Sequence, residues 1–243
     1  MSKLKIINKI LQCTSYQVKR INLALNCCHI HSVNINIEHF LAKLLLEKKE
    51  FFFVQIGAND GIRADDAYNF ITRNKLKGIV VEPLKDMFEK LCKNYVYHPQ
   101  IIKINKAIHS SAKEIPLYRI KSDADVPDWC HGIASFDKNH LLNKKEHILD
   151  FDKYIVEESV DCITLDELFT ITKTDHISFL QIDTEGYDFE IIKMLDFKKY
   201  RPQIIRYEYN LLSKNDNLAC IELLNKYGYK FFEDGNNIIA LFE

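Results

Sequence analysis

The 243-residue sequence lacks the features that mark several large classes of protein. No apolar run approaches the roughly 18 residues that a transmembrane helix needs. The formal net charge is only -1, so the chain carries no overall positive field that would attract nucleic acid. The N-terminus has no uninterrupted apolar core followed by a small-residue cleavage site. We therefore expect neither a membrane-spanning protein, nor a nucleic-acid-binding protein, nor a secreted one.

The cysteines show no regular spacing. Their number, seven, is odd, which argues against a secreted disulfide framework and for a reducing, cytoplasmic environment. The one dense cluster is Cys27, Cys28, His29 and His31, whose spacing is too cramped for the usual zinc pattern. We predict no metal site there.

Residues 1–30 carry five lysines and arginines and no acid. Leu4, Ile7, Ile10 and Leu11 fall at helical spacing, which predicts a short basic amphipathic helix. Such a helix either packs on the domain with a solvated basic face, which is the favoured interpretation, or contacts a membrane surface through residues 1–20.

From residue 51 onward, apolar strand-like runs alternate with helical patterns. This alternation predicts an α/β domain with an open parallel sheet over residues 51–243, preceded by a helical extension over residues 1–50. A less regular insertion at about 110–158 interrupts it, with one short strand at 115–120. The predicted main strands are 51–56, 78–81, 101–108, 177–182 and 203–209, followed by a hairpin of 229–232 and 238–242, and the predicted helices include 37–48, 64–75, 84–92, 165–169, 187–195 and 217–227.

A glycine turn directly follows the first of these strands. Gly57 and Gly61 flank it, and glycines let the backbone turn tightly and approach a ligand closely. Glu82 ends the second strand, 25 residues after Gly57, near the spacing at which a carboxylate binds a nucleotide ribose. Because the carboxyl ends of parallel strands share one edge, we expect the turn and the acid to line one cleft.

Two acids, Asp183 and Glu185, follow the fourth strand and should face the same cleft. They could hold a ligand, accept a proton or coordinate a metal. In the alternative interpretation, Asp183 or Thr184 caps the next helix.

The turn does not have the full G-x-G-x-x-G pattern that brings a pyrophosphate onto a helix N-terminus. A donor without phosphates therefore fits better than a dinucleotide, and S-adenosylmethionine is such a donor. Its sulfonium is a cation, which suits an acidic cleft. A nucleotide-dependent oxidoreductase and a non-catalytic donor-binding protein remain the alternatives.

Seven segments in this order resemble the FkbM-type methyltransferase family, over about residues 51–242. They are VQIGANDG at 54–61, VVEP at 80–83, NKAI at 105–108, GIASF at 132–136, VDCITLD at 160–166, LQIDTEG at 180–186 and PQII at 202–205. The resemblance implies a Rossmann-like fold, with a mainly parallel seven-stranded sheet whose last strand is antiparallel and with helices on both faces. The chain departs from the family pattern at Gln55, where an acid is common.

The resemblance also implies roles for individual residues. Gly57, Asn59 and Gly61 would line the methionine end of the donor, Glu82 the ribose, and Ala107 and Ile108 the adenine. The full predicted donor-binding set is Gln55, Gly57, Ala58, Asn59, Gly61, Glu82, Pro83, Ala107, Ile108 and Asp183.

Family members mostly methylate hydroxyls on sugars, polysaccharides and secondary metabolites, so a small-molecule or glycan acceptor is expected. Transfer to a hydroxyl needs a general base. The candidates are Asp183, Glu185 and His131, with Glu208 as a weaker one that equally suits an ion pair with Arg206. A divalent metal at these acids has little support from a single pair.

Overall fold

A computed structural model describes residues 18–21, 30–33, 37–47, 50–142 and 151–242, with the backbone alone described at 18–21 and 30–33. Most of the predicted basic helix of residues 1–20 lies outside the described residues, as does most of the cysteine and histidine cluster at 27–31. None of the described helices is long and apolar enough to cross a membrane.

The described residues form thirteen strands and seven α-helices, numbered here in chain order. The strands are β1 (Val18–Ile21), β2 (Ile30–Val33), β3 (Phe52–Ile56), β4 (Lys77–Val81), β5 (Ile101–Ile104), β6 (Ala107–Ile108), β7 (Glu114–Ile120), β8 (Ala134–Ser135), β9 (Ile155–Ile163), β10 (Phe179–Ile182), β11 (Ile204–Glu208), β12 (Lys230–Asp234) and β13 (Asn237–Leu241). The helices are α1 (Ile37–Glu47), α2 (Tyr68–Arg73), α3 (Lys85–Asn94), α4 (Lys138–Leu142), α5 (Leu165–Ile171), α6 (Asp188–Lys193) and α7 (Lys214–Lys226).

The main sheet is open and mostly parallel. Within the described residues its strand order is β1-β2-β12-β13-β11-β10-β3-β4-β5. The four pairings from β5 through β11 are parallel, whereas β13 runs antiparallel to both β11 and β12. The seven strands from β5 to β12 therefore confirm the predicted mainly parallel sheet with an antiparallel last strand.

The N-terminal extension contains the predicted helix, α1, and in addition two strands that the sequence pattern did not indicate. β2 pairs in parallel with β12, and β1 pairs antiparallel with β2. Without β2, the strand β12 would present a row of unpaired backbone groups at the sheet edge, and pairing removes them. The domain division at residue 50 stays a prediction.

Helices cover both faces of the main sheet, as predicted. On one face, α5, α6 and α7 contribute Leu168, Ile192 and Leu224 to an apolar core. On the other face, α1, α2 and α3 contribute Leu41, Phe70 and Leu91 to a second core. The central strands are buried on both sides, which explains why their sequences are continuous apolar runs.

The insertion forms a small sheet of its own, in the order β6-β9-β7-β8. β7 and β9 pair antiparallel from Glu114 opposite Asp161 to Ile120 opposite Ile155. The predicted strand over residues 101–108 is wrong in one respect, because it divides into β5 of the main sheet and β6 of the small one. Asn105 lies at the division, and its side-chain amide donates to the carbonyl oxygens of Glu82 (2.8 Å) and Pro83 (2.9 Å).

Candidate active site

A cavity of about 300 Å³ lies at the carboxyl ends of β3, β4 and β10. This is the edge at which open α/β sheets bind ligands. Its lining includes nearly all of the residues predicted to bind the donor, together with the acids that follow β10. From the predicted set it contains Gln55, Gly57, Ala58, Asn59, Glu82, Pro83, Ala107, Ile108, Asp183 and Glu185.

The turn after β3 is fixed by backbone contacts to both neighbouring strands. The amides of Gly57 and Ala58 both donate to the carbonyl oxygen of Val81 at 3.0 Å. Gly57 has a φ of 79°, and a Cβ there would lie 1.8 Å from the carbonyl oxygen of Asp183. Only glycine fits this position, because any side chain would strike the backbone of the next loop.

Glu82 connects the glycine turn to the start of α3. One carboxylate oxygen accepts a hydrogen bond from the amide of Asn59 at 2.8 Å, and the other accepts one from the amide of Leu84 at 2.9 Å. Burial raises the pKa of Glu82 to about 7, although these two amides and the charge of Arg119 act in the opposite direction. Each oxygen keeps further acceptor capacity toward a ligand hydroxyl.

The Asp183–Gly186 segment, defined here as the acidic loop, is supported by Asp188. One oxygen of the buried Asp188 carboxylate accepts from the Thr184 amide (3.1 Å) and hydroxyl (2.7 Å), and the other accepts from the Glu208 amide (3.0 Å). Neither Asp183 nor Thr184 caps α6, since the cap position is Tyr187 and it makes no side-chain cap. The helix-cap alternative is therefore wrong. Instead of capping α6, Thr184 donates its amide and its hydroxyl to the Asp188 carboxylate.

The opposite side of the cavity, here called the insertion wall, comprises Gly132, Ile133, Ala134 and Phe136. Side chains hold it in place at both ends. The Arg63 guanidinium donates to the carbonyl oxygens of Asp128 and His131, the latter at 2.9 Å.

At the other end of the insertion wall, the Ser135 hydroxyl donates to the carbonyl oxygen of Glu185 at 2.8 Å. His140 Nδ1 lies 2.8 Å from the same oxygen. Phe136 packs edge-on against Tyr187, which in turn stacks on His109 at 5.9 Å between ring centroids. An aromatic group therefore borders the cavity near Ile108.

One wall of the cavity is polar and buried. Gln55 and Gln181 lie side by side on β3 and β10 and are 3% and 4% exposed. The Gln181 amide donates to Asp65 Oδ1 at 3.3 Å, and the Ala67 amide donates to the same oxygen at 3.0 Å. Burial raises the pKa of Asp65.

Three predicted residues lie away from the cavity lining. Gly61 packs against Tyr95, whose ring a Cβ would approach to 2.6 Å, so its role in the structure is packing. His131 directly precedes the insertion wall in the sequence, and its Nδ1 is buried without a hydrogen-bond partner. Glu208 donates its backbone amide to Asp188.

Several lining residues were not predicted, among them Arg63, Asp65, Phe136, Gln181 and Tyr187. Asp65 fell within a predicted helix at 64–75, whereas the helix α2 begins only at Tyr68. The one feature of the sequence that could have pointed to Asp65 is that this acid follows so closely after the glycine turn. Among the described residues, no group of three or more histidines, cysteines or acids could hold a metal ion.

The site fits S-adenosylmethionine in its chemistry. The cavity contains acids suited to a cation, a buried carboxylate at the position expected for ribose, and a turn without side chains at Gly57. A family model described as the methyltransferase FkbM domain matches residues 55–231. The chain belongs to the FkbM methyltransferase family. This confirms the resemblance and makes S-adenosylmethionine the expected methyl donor.

Solved structures of methyltransferases are similar in fold. One is FkbM from Methylobacillus flagellatus KT, with 12% identity over 79% of this chain and 43% of that one and a TM-score of 0.48. Another is a METTL16 methyltransferase domain, with 15% identity over 85% of this chain and 65% of that one and a TM-score of 0.44. The N-terminal domain of human METTL16, solved in complex with SAH, matches at 13% identity over 98% of this chain and 79% of that one, with a TM-score of 0.41.

The match spans 65% of the METTL16 domain and less than half of the Methylobacillus protein. A search of curated proteins finds no match.

Proposed function

We propose that this protein is an S-adenosylmethionine-dependent methyltransferase that transfers a methyl group to a hydroxyl of a sugar, a polysaccharide or a secondary metabolite. One observation carries the proposal. The 2.8 Å hydrogen bond from the Asn59 amide to Glu82 joins the glycine turn to the buried acid at the edge of one cavity. Family membership supports the donor, and the hydroxyl acceptor is the finer part of the proposal.

All of the predicted donor-binding residues except Gly61 line this cavity, which supports the following assignments. Glu82 would accept hydrogen bonds from the two ribose hydroxyls, each contributing on the order of 1.5–3 kcal/mol. Ala107 and Ile108, both buried, would contact the adenine ring. Gly57 lets the backbone approach the methionine end.

When bound, S-adenosylmethionine supplies an electrophilic methyl group on a sulfonium. An attacking hydroxyl must lose its proton as the new bond forms, so the protein needs a base beside the acceptor. Asp183 and Glu185 both line the cavity and are the leading candidates. His131 is a third, since it directly precedes Gly132 of the insertion wall in the sequence.

The donor is tested by calorimetry with S-adenosylhomocysteine and NAD in parallel titrations. We expect S-adenosylhomocysteine to bind with one site per chain and NAD not to bind. The reverse result would assign the cavity to a nucleotide-dependent oxidoreductase. Binding without methyl consumption, across all acceptors tried, would favour the non-catalytic donor-binding protein.

The acceptor is tested with methyl-labelled donor and a panel of sugars, polysaccharides and hydroxylated secondary metabolites. An ether product, which is stable to mild alkali, supports the proposal. Label that mild alkali releases as methanol comes from an ester and would contradict hydroxyl methylation.

The base is tested with Asp183→Asn and Glu185→Gln on the acceptor found in that panel. We expect at least one of them to lower kcat by about 100-fold or more while leaving the fold intact. Near-normal kcat in both would remove these acids from the mechanism and leave His131→Ala as the decisive variant.

Location and membrane contact are also proposals. None of the four cysteines among the described residues, Cys92, Cys130, Cys162 and Cys220, forms a disulfide, which supports a reducing, cytoplasmic environment. A liposome-binding assay with and without residues 1–20 would test the membrane-surface contact.

A further inference from the structure

Three buried oxygen atoms in the cavity wall have no hydrogen-bond partner. They are Asp65 Oδ2, Gln55 Oε1 and Gln181 Oε1, and all three residues line the cavity. Leaving such acceptors buried and unpaired is energetically unfavourable. A wall with this many unpaired acceptors is suited to a ligand group that brings several hydrogen-bond donors.

The charge at this wall is negative. Asp65 is the only acid among these three residues. Burial has the largest effect on the pKa of its carboxyl group, and it raises that pKa. Arg206 acts on Asp65 through its positive charge. However, its guanidinium makes hydrogen bonds to Asp66 at 2.7 Å and Asp234 at 3.2 Å. A cation inside the cavity would complement the Asp65 carboxylate directly.

We propose that Asp65, together with Gln55 and Gln181, binds the α-ammonium group of the donor's methionine moiety. A primary ammonium carries three N–H donors, no acceptor and a positive charge, which matches three acceptor oxygens of which one belongs to a carboxylate. This inference rests on the proposed function, because it assigns one end of the same donor.

The position of Asp65 agrees with the remaining assignments. Glu82 is the predicted ribose ligand, and Ala107 and Ile108 are the predicted adenine contacts. The adenine amino group has only two N–H donors and belongs at that other end of the donor. Gln55 immediately precedes Ile56 and Gly57, so the polar wall adjoins the turn predicted to face the methionine end.

The test compares two ligands that differ at the amino-acid end. S-adenosylhomocysteine carries the ammonium, whereas 5′-methylthioadenosine has the adenosyl thioether without the amino-acid portion. We expect Asp65→Asn to weaken S-adenosylhomocysteine binding by about tenfold to a hundredfold and to leave 5′-methylthioadenosine binding unchanged, both measured by calorimetry.

Asp66→Asn is the matched control. Its carboxylate is next in sequence and 57% exposed, and it pairs with Arg206 outside the cavity lining. Because Asp66 does not line the cavity and Arg206 keeps its hydrogen bond to Asp234, we expect Asp66→Asn to bind both ligands as the wild type does. Equal losses in the two variants would show that the segment matters as structure, and would overturn the inference.

A charge relocation tests recognition further. The double variant Gln55→Glu, Asp65→Asn moves the negative charge from the loop to β3 and should recover at least part of the lost S-adenosylhomocysteine affinity. No recovery would contradict recognition of a cation at this wall.

The remaining outcomes separate this inference from the proposed function. Suppose that the wild type binds S-adenosylhomocysteine. If Asp65→Asn binds it equally well, or if Asp65→Asn loses affinity for S-adenosylhomocysteine and 5′-methylthioadenosine to the same extent, the ammonium assignment fails and the proposed function stands. If the wild type binds neither ligand, the proposed function fails, and this assignment fails with it.

Discussion

The two sides of the cavity are held in different ways. The sheet side, formed by the glycine turn, Glu82 and the acidic loop, combines contacts between backbone groups with hydrogen bonds to two buried carboxylates. The Gly57 and Ala58 amides donate to the Val81 carbonyl, and the carboxylates of Glu82 and Asp188 accept from the turn and the loop. The insertion wall depends on side chains of Arg63, Ser135 and His140 that reach distant carbonyl oxygens. Under the proposed function, the sheet side would hold the donor and the insertion wall would face the acceptor.

The largest effect is expected from Gly57→Ala, which attacks the sheet side at its tightest point. The new Cβ would lie 1.8 Å from the Asp183 carbonyl oxygen at a φ of 79°, so the turn and the acidic loop must separate. We expect a loss of about 3 kcal/mol or more in the free energy of unfolding and no measurable S-adenosylhomocysteine binding. Urea denaturation and calorimetry measure the two quantities.

Gly235→Ala is the control for backbone strain alone. Gly235 has a φ of 60°, but a Cβ there would meet nothing within 4 Å. We expect a loss of about 1 kcal/mol and normal ligand binding. If both variants behaved alike, the close contact between the turn and the acidic loop would not matter for the site.

Glu82→Gln should cause the next largest effect. We expect S-adenosylhomocysteine affinity to fall by about tenfold to a hundredfold, because a charged acceptor for the ribose hydroxyls is lost. The pKa of Glu82 is raised to about 7, so in the wild type the carboxyl must lose its proton to accept both hydroxyls. Affinity should therefore rise with pH up to about 7 and then level off.

Calorimetry between pH 5.5 and about 8.5 measures this profile, following the ionisation of Glu82. Glu82→Gln should show a flat profile in this range. An equally steep profile in the variant would assign the titration to another group, and a wild-type affinity that falls as pH rises would contradict the ribose assignment.

The stability of the ligand-free protein should show the opposite dependence on pH. Glu82 titrates near 4.5 in the unfolded chain and near 7 in the folded one, so between these values the folded state holds a proton that the unfolded state has lost. Its contribution to stability is full below pH 4.5 and disappears as pH rises through about 7. Glu82→Gln should remove this component, which urea denaturation at pH 5 and pH 8 measures.

The smallest effect is expected at the insertion wall. Ser135→Ala removes the hydrogen bond to the Glu185 carbonyl and should cost about 1 kcal/mol of stability. We expect S-adenosylhomocysteine affinity to stay within about threefold and amide hydrogen exchange across residues 132–136 to accelerate. The exposed Ser111→Ala serves as control. Loss of donor binding in Ser135→Ala would show that the two sides are not independent.

The sequence could predict the sheet side because its signals are local. The apolar runs that become β3 and β10, the glycine turn and Glu82 are each recognisable in a short window. Parallel pairing then brings the ends of those strands to one edge without any knowledge of side-chain contacts.

The insertion wall and the polar wall could not be predicted in the same way. β7 pairs with β9 across a long stretch of chain, and β2 pairs with β12 from nearly opposite ends of it. Asp65 contacts Gln181, 116 residues away, so its place in the cavity depends on the tertiary fold. Asp188 likewise replaced the expected helix cap by binding Thr184 from within α6.

The most direct test of the account is a crystal structure of the protein with S-adenosylhomocysteine. We predict the ribose hydroxyls on Glu82, the adenine against Ala107 and Ile108, and the thioether beside Gly57. A ligand bound elsewhere, or bound in this cavity with its ribose away from Glu82, would contradict the central claim that the glycine turn and this carboxylate together hold the methyl donor.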